Sequence, residues 1–397
     1  MSLRVLSLST LFPSAARPGF GLFVARQFDA LAARGDIELA LVCPVARPVW
    51  PLSLLRRLPA GALALPADRN PPFPVHYVPF AYVPGISARW NPALLARAVL
   101  PLARRLHAER PFDVIDAQFF YPEGPAAARV AHALGLPLSI TARGSDIHLW
   151  GKAASARPQI LSAGQQAAGM RAVSAALRAD MIDLGLPGDR IEVYHTGLDH
   201  TRFKPVPRRE ARQQVAADAE LAIPCEGPLL VAVGNLIPLK GQALVIEALA
   251  AIPQARLVLA GQGPERANFA SLASRLGLEE RVQFAGSVPA GKLATLLSAA
   301  DVMVLPSERE GLANAWVEAI ACGTPIVIPD VGGAREVVTG PDAGRLAQRT
   351  PAAIAEAVRE LLANPPSQAT VAAHAARFSW EVNAAGLSAH YRRIARP

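Results

Sequence analysis

Residues 301–330 read DVMVLPSEREGLANAWVEAIACGTPIVIPD, and the periods within this stretch set the expectation for the whole chain. A short apolar run ends near Pro306, a polar loop carries Glu308 to Gly311, and apolar residues then recur at helical spacing from about Leu312 to Cys322. Gly323 stands where a helix needs a left-handed residue to close, and a second apolar run, PIVIPD, follows at once. The pattern is strand, loop, helix, strand. Glu310 and Glu318 lie eight positions apart across it; eight steps of about 100° would leave them some 80° apart were both helical. Glu310 falls instead in the loop and Glu318 two turns into the helix. A helix start offers main-chain N–H groups, here from residues such as Leu312 and Ala313, that can hold a sugar hydroxyl or a phosphate oxygen, and the two carboxylates can accept from hydroxyl pairs. The plainer reading makes Glu310 a complement to the helix dipole and Glu318 a solvated side chain. Glu308 has no evident role.

Working outward, the same alternation precedes this stretch: LLVAVGN, a helix near 241–251, RLVLAGQG, a helix over 265–276, RVQFAG and a helix over 290–300. Buried strands alternating with helices imply a parallel sheet covered on both faces. The first half repeats the scheme with RVLSLST, a glycine loop containing Gly19 and Gly21, the helical run LFVARQFDALAARG, and then IELALVCPV, PVHYVPF, FDVIDAQ and LPLSITARG. Residues 200–228 are polar and proline-containing, so a domain boundary is expected there. Two parallel α/β halves should leave a ligand cleft at the carboxyl ends of their strands.

Composition narrows the functional classes. A chain of 397 residues suggests two domains or three. With 51% hydrophobic residues it can fill large cores, yet no uncharged apolar run approaches the roughly 20 residues needed to cross a bilayer, and MSLRVLSLST has no long apolar signal region. A soluble, unprocessed cytoplasmic chain is expected. Cys43, Cys225 and Cys322 are odd in number and far apart, which argues against a disulfide framework or a zinc knot. The net charge is +8, with 20 basic against 14 acidic residues in 1–200 and 20 against 18 afterwards. The arginines are dispersed, without a nucleic-acid module, so an anionic ligand or membrane surface fits better than nucleic acid.

The carboxylate stretch PSEREGLANAWVEAIACGTPIV, with VGNLIPLKG at 233–241, GQGPER after it and RVQFAGSVPAGKLATLLSAADVMVLPS before it, resembles the retaining glycosyltransferases of family 4. Weaker matches, among them FPSAARPGFGLFVARQFDAL, SITARGSDIH and HTGLDHTRFKP, extend the resemblance over nearly the whole chain. It implies the GT-B fold: two facing Rossmann-like domains with parallel sheets, an acceptor-binding domain over 1–203, a nucleotide-sugar domain over 204–378, and a final helix within 379–397 crossing back to the first.

The resemblance also implies roles. Glu310 would contact the donor sugar, Glu318 the ribose hydroxyls and Lys240 the diphosphate; Asn235, Gly311, Leu312, Ala313 and Val288 would line the donor site. The family commonly has arginine where Asn235 stands, and histidine where Arg143 stands, which puts a general base at that position in doubt. Asp146 would orient hydroxyls, or cap the following helix; Gly19, Gly21, Arg143 and His148 would belong to the acceptor or diphosphate loop, with a plain turn or a structural histidine as the alternative. GQGPER lacks the third glycine of a dinucleotide fingerprint. The implied reaction is metal-independent sugar transfer from a UDP- or GDP-sugar with retention, needing no cofactor. The basic run at 86–110, with Trp90 at its start, has the pattern of an amphipathic helix on an anionic membrane and equally of a packed surface helix; the first points to a lipid-linked saccharide acceptor for envelope or exported polysaccharide. A nucleotide-sugar epimerase or hydrolase, and a silent sugar-binding relative, are the rivals.

Overall fold

The computed structural model describes residues 2–48, 58–82, 87–224 and 226–395. The chain divides into two compact units, residues 1–197 with 380–397, and residues 198–379. The division falls a few residues before the boundary expected at 203, because Leu198 pairs with Ser379 and the Leu198 N–H donates to the Phe378 carbonyl at 2.9 Å.

In the first unit the strands are β1 (Leu3–Leu8), β2 (Ile37–Pro48), β3 (Val75–Tyr82), β4 (Val114–Ala117), β5 (Leu138–Ala142), β6 (Gly169–Ala172) and β7 (Ile191–Val193), in the order β3-β2-β1-β4-β5-β6-β7. Every pairing is parallel. The reversal of strand order beside β1 puts the ends of β1 and β4 at a topological switch point, where open α/β sheets bind ligands. In the second unit β8 (Leu229–Val233), β9 (Arg256–Ala260), β10 (Val282–Gly286), β11 (Val302–Val304), β12 (Ile326–Ile328) and β13 (Gly344–Leu346) run in the order β10-β9-β8-β11-β12-β13, again all parallel. Central strands such as LLVAV and VMV are buried along nearly their whole length, as a sheet covered on both faces requires.

The final helix, Trp380–Ile394, belongs to the first unit, as the resemblance implied. Its inner face carries polar groups. Asn383 accepts from the Gln27 side chain at 2.8 Å, and His390 stands between Ser139 on β5, at 3.1 Å, and Glu192 on β7, at 2.9 Å. The hydrogen bond from His390, helped by Arg393, pulls the Glu192 carboxyl down to about 2 despite its partial burial.

The basic run at 86–110 begins with Ile86, which lies outside the described residues; the helix occupies Asn91–Glu109. Its apolar residues Leu95, Ala96, Val99 and Ala103 are buried within the unit, while Arg97, Arg104 and Arg105 face water. These buried residues pack into the protein's own core, as the packed-surface-helix alternative requires, and the arginines and Trp90 remain outside. Among the described residues no helix is long and apolar enough to cross a membrane. Cys43 and Cys322 are buried free thiols; Cys225 lies outside the described residues.

Candidate active site

In the second unit the loops that follow β8, β9 and β11 are joined through their main chains. After β8, the Gly234 N–H donates to the Ala260 carbonyl at 3.0 Å and the Leu236 N–H to the Gln262 carbonyl at 2.9 Å. A Cβ on Gly261 would stand 1.9 Å from the Gly234 carbonyl oxygen, and one on Gly263 2.2 Å from that of Leu236. The glycines of GQGPER therefore serve loop-to-loop contact, which accounts for a glycine pair without a dinucleotide site. A short 3-10 turn, Pro238–Lys240, then leads into the helix Gln242–Leu249, and the Glu308 N–H donates to the Leu239 carbonyl at 2.8 Å.

This lacing brings Lys240 and Glu310, 70 residues apart in sequence, into a direct ion pair, with side chains 20% and 13% exposed. The Glu310 loop is braced from beneath: the Gly333 N–H donates to the Gly311 carbonyl at 2.7 Å, and a Cβ on Gly332 would meet the Glu310 carbonyl oxygen at 2.1 Å. Gly332 has φ +52°, so its lack of a side chain serves both backbone shape and close approach. Arg349 donates from Nε to the Pro306 carbonyl at 2.9 Å. None of Gly332, Gly333 and Arg349 is among the expected site residues. The glycine pair after PIVIPD was a readable turn signal; nothing local marks Arg349.

The helix expected from Leu312 begins two residues later, at Asn314, and runs to Ala321. Gly311, Leu312 and Ala313 form its buried lead-in, and Ala313, an extended residue unable to cap, leaves the helix start without a side-chain partner. Glu318 sits half-buried on this helix, whereas Glu310 is not helical, so an angular relation between them does not apply. Gly323, at φ +79°, closes the helix as expected. Asn235 is exposed, and its carbonyl accepts from the Gln242 side chain at 3.0 Å. Val288 follows β10 at the sheet edge, separated from β11 by two strands.

In the first unit the expected loop residues are largely spent on structure. Asp146 is fully buried and accepts main-chain N–H groups of Phe120 at 2.9 Å, Arg143 at 3.0 Å and Gly144 at 2.8 Å. Burial raises its carboxyl above the usual range, opposed by those three donors. With its side chain fully buried it shapes the strand-end loop, an engagement of the kind the capping alternative describes. His148 is likewise tied to Asp180 at 2.8 Å. Gly21, at φ +70°, opens the helix Leu22–Ala33, and a Cβ there would stand 2.3 Å from Leu11, so this glycine is required by its own backbone. Gly19 is exposed with open space around it. Arg143 donates to the side chains of Gln27 and Gln118 and lies over the Phe23 ring; burial, then Arg171, lowers its guanidinium to about 10.

Glu123 went unsuspected because nothing near it in sequence marks it. It is fully buried after β4, accepts both the N–H and hydroxyl of Thr10 through Oε1, and is pushed by burial from 4.5 to about 8. The folded protein thus holds it neutral where the unfolded chain ionises, and stability present below pH 4.5 is lost as pH rises towards 8. Glu123→Gln is expected to flatten that slope, by up to about 1.4 kcal/mol per pH unit, in denaturation followed from pH 5 to 8; an unchanged slope would assign the pH dependence elsewhere.

Two family models match, "Glycosyltransferase Family 4" over residues 19–202 and "Glycosyl transferases group 1" over 214–378, and between them they take in most of the chain. The chain belongs to glycosyltransferase family 4. It is 39% identical over 217 residues to the D-inositol 3-phosphate glycosyltransferase of Mycobacterium leprae, a match covering 51% of this chain and 49% of that protein. The Mycobacterium tuberculosis protein of that name is 38% identical over 217 residues, covering 51% and 44%. The chain thus matches about half the length of these curated relatives. Among solved structures, sucrose-phosphate synthase from Thermosynechococcus elongatus superposes with a TM-score of 0.77 at 22% identity, covering 99% of both chains. The Anabaena protein HepE in complex with UDP gives 0.74 at 21%, covering 99% and 100%. These likenesses are of fold, and they place this family 4 member among GT-B proteins. Among its described residues no three His, Cys, Asp or Glu side chains are grouped to hold a metal.

Proposed function

We propose that this family 4 protein transfers a sugar from a nucleoside-diphosphate sugar to an acceptor hydroxyl with retention at the anomeric carbon. The observation that carries the reading is the convergence of Lys240 and Glu310 from two loops laced together at the strand carboxyl ends. Departure of a nucleoside diphosphate builds negative charge, which Lys240 and the uncapped helix start before Asn314 are suited to stabilise without a metal. Glu310 would hold the transferred sugar and Glu318 the ribose hydroxyls. Retention follows when the acceptor hydroxyl arrives on the face the diphosphate leaves, its proton passing to a phosphate oxygen, so that neither carboxylate becomes bonded to the sugar. The HepE and mycobacterial relatives support nucleotide and sugar chemistry of this kind.

A cytoplasmic enzyme touching the inner membrane face, with a lipid-linked saccharide acceptor in envelope or exopolysaccharide synthesis, is the finer form of the reading. It is supported by the outward Arg97, Arg104 and Arg105 and by exposed Trp90, whose ring lies 4.0 Å beneath Arg89. Such a face contributes charge attraction of about 1 kcal/mol per basic residue near an anionic surface. Incubating the protein with labelled UDP- and GDP-sugars and vesicles made from bacterial lipid extract tests both levels. Label is expected to move into the lipid fraction as nucleoside diphosphate is released. Turnover of the nucleotide sugar without acceptor would favour an epimerase or hydrolase, and no release of nucleoside diphosphate under any of these conditions a silent sugar-binding relative.

A further inference from the structure

Lys240 and Glu310 are the two groups the proposed reaction needs for different parts of one ligand, yet in this structure each is the other's partner. We propose that the pair is self-caging: the ligand's diphosphate must displace Glu310 from the Lys240 ammonium, and that displacement frees the Glu310 carboxylate to accept sugar hydroxyls. Diphosphate recognition is thereby coupled to sugar recognition, and re-formation of the pair helps expel the nucleoside diphosphate. The inference rests on the nucleotide-sugar reading.

Three observations support an exchange confined to side chains. The loops carrying the pair are fixed to each other by the Glu308-to-Leu239 hydrogen bond and to the Gly332–Gly333 turn beneath, so their main chains have little freedom to separate. The Lys240 stem runs past Gly234, with Cδ and Cε 3.8 Å from where a Cβ would stand, which leaves a smooth track for the ammonium to swing along. The neighbouring carboxylate of Glu308 is an exposed side chain 3.9 Å from Arg309, whereas Glu310 is the partly buried carboxylate that Lys240 pairs with. A flexible lysine with a compact ammonium can change partners at small cost, as a rigid bidentate arginine could not.

The consequence is opposite in sign to ordinary loss of a binding residue. Calorimetric titration with UDP, GDP, ADP and dTDP, and with their glucose conjugates, tests it on the full chain. Glu310→Gln is expected to bind its nucleoside diphosphate roughly three- to tenfold tighter than the unaltered protein, because a competing partly buried ion pair is gone. The nucleotide sugar should not gain to the same degree, so the preference for sugar-bearing over bare nucleotide falls. Lys240→Gln should also cost more diphosphate affinity in the Glu310→Gln background than alone, which reports coupling even if one variant folds less stably. Unchanged or weaker diphosphate binding by Glu310→Gln, with the unaltered protein still binding, overturns the caging and spares the reaction class. If the unaltered protein binds none of these nucleotides, both fall.

Discussion

Replacing Lys240 with alanine is expected to lower sugar transfer by about 10²- to 10³-fold, with a smaller loss of donor affinity. The size follows from removing one preorganised charge aimed at a developing anion, typically about 3–4 kcal/mol of transition-state stabilisation. The charge on the diphosphate grows as the glycosidic bond breaks, so Lys240 is worth more in the transition state than in the bound donor, and the loss should fall mainly on turnover. Its side chain is partly exposed and its contact with Glu310 joins neighbouring loops, so the variant should keep its fold. Single-turnover measurements under saturating donor, with thermal unfolding as the control, check both points. A folded Lys240→Ala variant that turns over within threefold of the unaltered protein would remove Lys240 from the chemistry.

The second large effect concerns stability. Asp116 on β4 is fully buried and accepts from Ser7 at 2.7 Å, Gln118 at 2.6 Å and Arg171 at 2.8 Å, and Arg171 on β6 is itself 1% exposed. Tyr391 of the returning helix lies against the same guanidinium, 5.4 Å from ring centre to Cζ. Arg171→Met would leave the carboxylate in the interior without its counter-charge, which is expected to cost about 3–5 kcal/mol. Urea denaturation followed by intrinsic fluorescence measures this, and the double variant Asp116→Leu with Arg171→Met should recover part of the loss because no unpaired charge remains. A single variant within 1 kcal/mol of the unaltered protein would show that water or Ser7 and Gln118 suffice for Asp116.

Much of the architecture was legible because it rests on local rules. Runs such as LLVAV, between Pro228 and Gly234, and VMV, between Asp301 and Leu305, are continuous apolar segments, and they became the central strands of a sheet buried on both faces. The returning helix was legible only through resemblance, since nothing local says that Trp380–Ile394 rejoins residues 1–197. At the site, EREGLANAWVEAIACGTP showed two carboxylates and a helix with its glycine stop. It could not show that Glu310 would face Lys240, because that contact depends on Leu239 and Glu308 meeting across 69 residues. For the same reason the sequence could not show how fully Asp146 is engaged by its own loop. A carboxylate beside a glycine at a strand end looks available until three main-chain N–H groups claim it.

By itself, then, the order of residues determined the alternation of strands and helices, the stop at Gly323 and the chemical types present at each strand end, since these follow from periodicity and backbone preference over a few residues. Tertiary structure alone decided which groups are spent and which are paired. It buried Asp146 among main-chain donors, tied His148 to Asp180, pushed the Glu123 carboxyl up to about 8, packed Leu95, Ala96, Val99 and Ala103 into the core, and set Lys240 against Glu310. The physical reason is that burial and long-range hydrogen bonds, which fix a group's charge and availability, are properties of the space around a side chain and leave no trace in its neighbours along the chain.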